Sequence, residues 1–218
     1  LSGVRLPVRL VENKVPLDVA AGPRQARPPG PPWRIGLFGA LRCRRSVDLL
    51  LAAARRLGGR IEVVVRGRPS PAVFADLPGE IAAAPHATFL GSYRGRDLSA
   101  IYGDVHFAWA IDFYEEGENS AWLRPCRLYE SAAFGAVPVV AAGTETARFS
   151  TRLGIGVPLG EDFAAALVTA MEAMTADRYA AHAARVAAVP RERLVATRAE
   201  CAAVVEAILG AGVGARAA

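Results

Sequence analysis

The chain has almost no lysine: Lys14 is the single one, so 25 of the 26 basic residues are arginine. Cysteines number only three (Cys43, Cys126, Cys201), and no Cys/His ligand spacing joins them to His86, His106 or His182. That odd, scattered set excludes a disulfide framework and a structural zinc site, and makes reduced cytosol the default compartment. No Asp-x-Asp pair for a metal-held ligand occurs. No apolar run reaches the ~18 residues of a membrane helix. The first ten residues carry two arginines and no continuous apolar stretch, so they do not read as a secretory signal. A glycine fingerprint of the G-x-G-x-x-G type is missing too, which weakens a nicotinamide-dehydrogenase reading. The chain begins with Leu1 rather than Met and is read as a domain cut from something longer.

What is present suits one sizeable core: 218 residues, 52% hydrophobic and 22% charged. The net charge of +5 invites a nucleic-acid partner. The arginines are scattered, however, and no aromatic residues interleave with them to stack bases. With 44 alanines beside them, the arginines fit a codon bias better than a binding face, so no nucleic-acid partner is expected.

Residues 1–33 stand apart. The tract Gly22 to Trp33, rich in proline, glycine and arginine, holds neither helix nor central strand and reads as a linker. From residue 34 short apolar runs alternate with helical stretches. Strands are expected at 35–39, 61–65, 88–90, 105–111, 137–141 and 155–159. Helices are expected from Ser46 to Leu57, over 72–84, from Asp97, and from Pro125 to Phe134. The stretch from Glu161 to Gly210 reads as helical with a break at Pro190. This alternation predicts a doubly wound parallel α/β sheet over 34–218, Rossmann-like, with a helical C-terminal extension.

Ligands of such sheets bind beyond the carboxyl ends of the strands. Two strand-to-helix junctions are unusual there. Gly39-Ala-Leu-Arg-Cys-Arg-Arg45 places three arginines before a helix N-terminus, a suitable grip for phosphate or else a merely solvated loop. Asp112 to Glu130 gathers five carboxylates, Asn119, Ser120, Trp122 and two arginines. Pro125 fits the first helical turn, and Arg127 in that turn opposes the helix dipole unless an anion is bound. Glu130 follows at i+3 and is expected to pair with Arg127.

The run Pro125-x-Arg127-x-x-Glu130-Ser-Ala-Ala-x-Gly135-Ala-Val-Pro138-Val-Val resembles the donor-site signature of retaining GT-B glycosyltransferases of family 4. The phrase from Asn119 to Glu130 is similar to a subset acting in bacterial exopolysaccharide assembly. Gly36-Leu-Phe-Gly-x-Leu41, with Arg45 and Val47-Asp-Leu-Leu, resembles the family's first strand-loop-helix, and 88–93 and 97–102 match in order. The resemblance covers roughly residues 34–160.

It implies the C-terminal, nucleotide-sugar-binding half of a two-domain enzyme. Glu130 is then expected on the donor ribose, and Arg45 and Arg127 on the diphosphate. Gly39, Arg42 and Pro125 line the donor site, and Asn119 and Ser120 sit beside the sugar. Trp122 stands where many members carry a glutamate eight positions before Glu130, and Ala40 replaces the usual arginine after the first-strand glycine. Glu118, Glu116 or Asn119 is expected to take over the first role, and Glu118 and Glu130 are the catalytic candidates. The resemblance implies no metal and no cofactor beyond the nucleotide-diphosphate sugar. It also implies an N-terminal acceptor domain that residues 1–33 cannot form, and a cytoplasmic site peripheral to the inner face of the membrane. A non-catalytic α/β module binding a nucleotide or a partner is the alternative.

Overall fold

Runs of β-branched and aromatic residues bounded by glycine build the central strands, and their near-continuous burial marks a sheet covered on both faces. The computed structural model describes residues 10–20 and 22–214. Its strands are β1 (Trp33–Leu41), β2 (Ile61–Pro69), β3 (Ala87–Phe89), β4 (Phe107–Trp109), β5 (Val137–Ala141) and β6 (Val157–Leu159). They form one parallel sheet in the order β3-β2-β1-β4-β5-β6. Around it lie α1 (Arg44–Leu57), α2 (Leu77–Ala82), α3 (Leu98–Gly103), α4 (Asn119–Trp122), α5 (Cys126–Phe134), α6 (Glu145–Arg152), α7 (Phe163–Glu172), α8 (Ala176–Ala188) and α9 (Arg198–Gly214). The expected Rossmann-like fold is therefore present. Its strand order reverses between β1 and β4, so the ligand crevice of such folds lies where these two strands end. Among the described residues no helix is long and apolar enough to cross a membrane.

Several boundaries differ from the sequence reading. β1 begins at Trp33, inside the expected linker, because the Trp33 amide donates to the Arg60 carbonyl and its ring is fully buried. α1 starts at Arg44, before Ser46, with the Cys43 sulfur accepting from the Ser46 amide as its cap. Helix α2 covers only 77–82, since Asp76 caps it there. Helix α6 was not expected. Its entry signal is Thr144, whose hydroxyl accepts from the Ala147 amide. The C-terminal helical stretch also breaks before α8, where Thr175 caps a new start.

Residues 1–9 and residue 21 of the expected linker lie outside the described residues. The rest of it crosses the domain as an extended strap. Val15 bridges Val195 and is buried. The Arg24 guanidinium donates to the carbonyls of Val186, Ala187 and Val189, closing the C-terminal end of α8. The Gln25 amide donates to the Phe134 carbonyl. His106 locks strap to sheet: its Nδ1 accepts from the Arg34 amide at 2.8 Å, and its Nε2 lies 2.9 Å from the Pro28 carbonyl. The imidazole is 2% exposed, and burial lowers its pKa to about 4 against the opposing pull of the Pro28 carbonyl. Neutral His106 with its proton on Nε2 satisfies both bonds.

At the carboxyl end of β1, Gly39 (φ +110°) pairs in register with Gly67 (φ +144°) on β2. A Cβ on Gly67 would overlap the Gly39 carbonyl oxygen, so only glycine allows this approach. The backbone of Gly39 thereby turns toward the crevice.

Candidate functional site

The crevice has two lobes separated by the loop that follows β4. The first, about 260 Å³, has walls that include Gly39, Arg42, Tyr93, Asp112, Arg127 and Glu130. The second, about 430 Å³, lies beyond the ends of β5 and β6 and includes Arg45, Glu116, Ser120, Thr144 and Phe163. Asp112 borders both.

Glu130 sits in the second turn of α5, half buried. Its Oε2 accepts the Tyr102 hydroxyl at 2.8 Å. Tyr102 is itself 1% exposed, packed on Phe38 and stacked on Phe134. Burial pushes the Glu130 carboxyl above the usual range, and the Tyr102 hydroxyl and the nearby Arg127 charge pull it partly back. Tyr93, opposite, has its phenol raised by burial first and by Glu130 second. The result is a carboxylate fixed in direction by a buried donor, with its other oxygen at the cleft.

Arg127 does not pair with Glu130 as expected. Its Nη1 donates to the Trp109 carbonyl at 3.3 Å and its Nη2 lies 3.8 Å from Asp112. The side chain runs back to the end of β4, where an open carbonyl and a carboxylate outcompete an i+3 neighbour already engaged with Tyr102. Arg42 also approaches Asp112, at 3.9 Å, and stacks over Tyr114 at 4.2 Å. The other Asp112 oxygen accepts the Tyr114 amide. Asp112 thus holds two guanidiniums at the mouth of the first lobe, with the first turn of α5 behind them. Pro125 is the N-cap of that helix rather than its first residue, leaving the Cys126 and Arg127 amides at the free end. This is a cationic seat for an anion.

The remaining candidates divide. Gly39, Arg42, Pro125, Arg127 and Glu130 share the first lobe, while Arg45 and Ser120 face the second. Arg45 is ion-paired with Glu116 and lies over the rings of Phe113 and Phe163. Arg44, its neighbour, leaves the site altogether and pairs with Glu80. Ser120 accepts the Glu115 amide. Glu118 is exposed at the start of α4 and lines neither lobe, and Asn119 is likewise outside both walls. Spacing within one segment had no means of showing Asp112, Tyr93 and Tyr102 as partners. Asp112 was findable, since it follows β4 at its carboxyl end. Tyr102 was not: it reaches Glu130 from another helix.

No family model matches the chain. It is 46% identical over 213 residues to the succinoglycan biosynthesis protein ExoL of Rhizobium meliloti, an alignment covering 94% of this chain and 53% of that protein. The chain therefore spans about half the length of the curated relative it matches. Among solved structures, HepE of Anabaena, in complex with UDP and glucose, superposes with a TM-score of 0.62 at 12% identity, over 81% of this chain and 48% of that one. The C-terminal domain of LpcC, a group 1 family glycosyl transferase from Francisella tularensis, superposes with a TM-score of 0.53 at 14% identity, over 73% and 83%. These likenesses establish the α/β fold of GT-B glycosyltransferase domains.

Proposed function

We propose that the chain is the donor-binding half of a retaining GT-B glycosyltransferase of the family 4 type. It would transfer a hexose from a nucleotide-diphosphate sugar to a saccharide or lipid-linked acceptor in polysaccharide assembly. One observation carries the reading: Glu130, oriented by a buried tyrosine, shares a crevice with Arg42 and Arg127 at the N-terminus of α5. A vicinal diol and a diphosphate are the chemical pair that this set fits. The free oxygen of Glu130 accepts from ribose hydroxyls, and the guanidiniums and helix amides meet the phosphates. Relatedness to ExoL supports the polysaccharide assignment, and the UDP and glucose held by HepE favour a UDP-hexose.

Cleavage of the sugar–phosphate bond releases a diphosphate whose charge grows along the reaction. Arg127 and Arg42 are already fixed against Asp112, so they stabilise that charge without reorganising, and the reading needs no bound metal. Gly39 leaves the first lobe open for the phosphates to approach backbone. On this reading the acceptor is bound by a separate domain of a two-domain enzyme. A lipid-linked acceptor would place the protein at the cytoplasmic face of the membrane.

Calorimetric titration of the chain with UDP, GDP and ADP tests the reading. One diphosphate binding in the micromolar range, about −8 kcal/mol, and lost in Arg127→Ala, is the expected result. No binding by any of the three would overturn the assignment of the donor site to this chain.

A further inference from the structure

Part of the first lobe's wall comes from the strap. Asn13 stands there beside Leu123, Pro125 and Cys126. Its Nδ2 donates to the Arg124 carbonyl at 2.9 Å, 111 residues away in sequence. The preceding residue, Glu12, takes the same arginine by its other end. One carboxylate oxygen of Glu12 accepts from the Arg124 guanidinium and, at 3.1 Å, from the Tyr129 hydroxyl. The side chains of Glu12 and Arg124 are 27% and 14% exposed, so this pair is largely shielded from the water that weakens surface ion pairs. Tyr129 behind it is fully buried on α5.

Both contacts fall on the residue that leads into α5. Pro125, the N-cap of that helix, makes no side-chain hydrogen bond and has no N–H, so the peptide before it sets the direction of the first turn. The Thr146 hydroxyl holds the Leu123 carbonyl from α6, and Asn13 holds the Arg124 carbonyl from the strap. Arg124 alone would oppose the positive end of the helix, and Glu12 offsets its charge. The strap is fastened on its other side at buried Val15, whose amide donates to the Leu194 carbonyl and whose carbonyl accepts the Ala196 amide.

We propose that Asn13 is a positioning residue of the first lobe: it aims the first-turn amides of α5 at a bound anion, with Glu12 locking Arg124 behind it. The inference takes from the donor reading only the identity of the ligand, since any anion seated on those amides would depend on their direction. With the strap undocked the first turn loses its guide. Strap docking and anion binding therefore strengthen each other by one shared factor.

Calorimetry with inorganic pyrophosphate, UDP, GDP and ADP on the parent chain, Asn13→Ala and Val15→Ala tests the role. Val15→Ala trims the buried anchor on the other side of the strap and serves as the control for lost stability. Asn13→Ala should weaken pyrophosphate and nucleotide binding about fivefold or more. Val15→Ala should lower the urea midpoint yet keep affinity within about twofold of the parent. Hydrogen exchange gives the reciprocal signature, which a merely structural role would not produce. The tightest binder of the four, at saturation, should slow exchange of the Val15 and Ala196 amides in the parent by about the factor lost in Asn13→Ala, and much less in that variant. Unchanged affinity in Asn13→Ala, an equal loss in Val15→Ala, or strap amides indifferent to the anion in the parent each overturns the positioning role. If a nucleotide binds through Arg127 while Asn13→Ala changes nothing, the donor reading survives that result. If pyrophosphate binds in an Asn13-dependent way and no nucleotide binds, the positioning role stands and the donor reading falls. Binding of none of the four overturns both.

Discussion

Lowering the pH from 7 to 5 should weaken the fold through His106, and the size of the loss follows from its burial. The imidazole carries two hydrogen bonds in its neutral form, one to the strap through Pro28 and one from β1 through the Arg34 amide. Its pKa falls from 6.5 to about 4, by burial first, with the charges of Arg27 and Arg34 adding to the fall and Asp104 opposing it. The unfolded chain then binds a proton that the folded one refuses. Stability from this group is complete above pH 6.5 and is lost as pH falls toward 4, about 3 kcal/mol in all and about 2 kcal/mol of it by pH 5. His182, lowered by burial and Arg185, acts with the same sign, whereas Glu130, raised by burial, acts with the opposite one. Urea unfolding at pH 7 and pH 5 measures the difference, expected as a midpoint shift of about 1 M. His106→Asn, which keeps a donor and an acceptor but does not titrate, should be less stable at pH 7 and lose most of the pH dependence. An unchanged slope in that variant, or an equal midpoint at both pH values in the parent, would refute the reasoning.

Gly67→Ala should destabilise the domain by about 3 kcal/mol, because the new Cβ strikes the Gly39 carbonyl at a φ that alanine avoids; thermal or urea unfolding reads it. Tyr102→Phe removes the buried donor to Glu130, so nucleotide affinity should fall about tenfold or more, since hydrogen bonds to a charged group contribute about 1.5–3 kcal/mol. The same loss should raise the Glu130 pKa further, so the variant's affinity should decline at a higher pH on acidification than the parent's. Glu116→Gln frees Arg45 from an exposed ion pair of about 0.2–1 kcal/mol. If Arg45 serves the diphosphate, calorimetry should show nucleotide affinity rising up to about fivefold, and an unchanged affinity would leave Arg45 to the second lobe alone.

The sheet was legible because its strands are apolar runs between punctuating residues: β5 falls on 137–141 as expected, and all six strands occur in the expected order. What escaped was local chemistry without an apolar signature. The strap's prolines hid the start of β1, and Cys43 caps α1 although sulfur is a weak acceptor. Helix α6, with the sequence ETARFSTR, buries only a narrow stripe that a reading by apolar runs passes over. The site was legible as a place, since Gly39, Arg42, Arg127 and Glu130 do converge, but not as a set of pairings. Residues three apart on a helix invite an ion pair, and Arg127 and Glu130 each found a partner from another element, at Asp112 and Tyr102. Sequence spacing sees neighbours along a helix and is blind to those that the sheet's crossovers bring alongside.

The loop from Asp112 to Arg124 is where these two levels meet. It issues from β4 at the strand-order reversal, so its first residue is fixed by the sheet. Asp112 there sets Arg42 and Arg127 against the first lobe. Four residues on, Glu116 holds Arg45 in the second lobe, and α4 then carries Ser120 into that lobe and Trp122 onto its rim. Everything that separates the two lobes thus belongs to a single segment, fastened rigidly at Asp112 and by an exposed ion pair at Glu116. A ligand that draws Arg45 toward a phosphate must release Glu116, and with it the only ion pair holding the middle of the loop among the described residues. Anion binding by Arg45 in the second lobe and the position of this loop are therefore coupled through one carboxylate, Glu116.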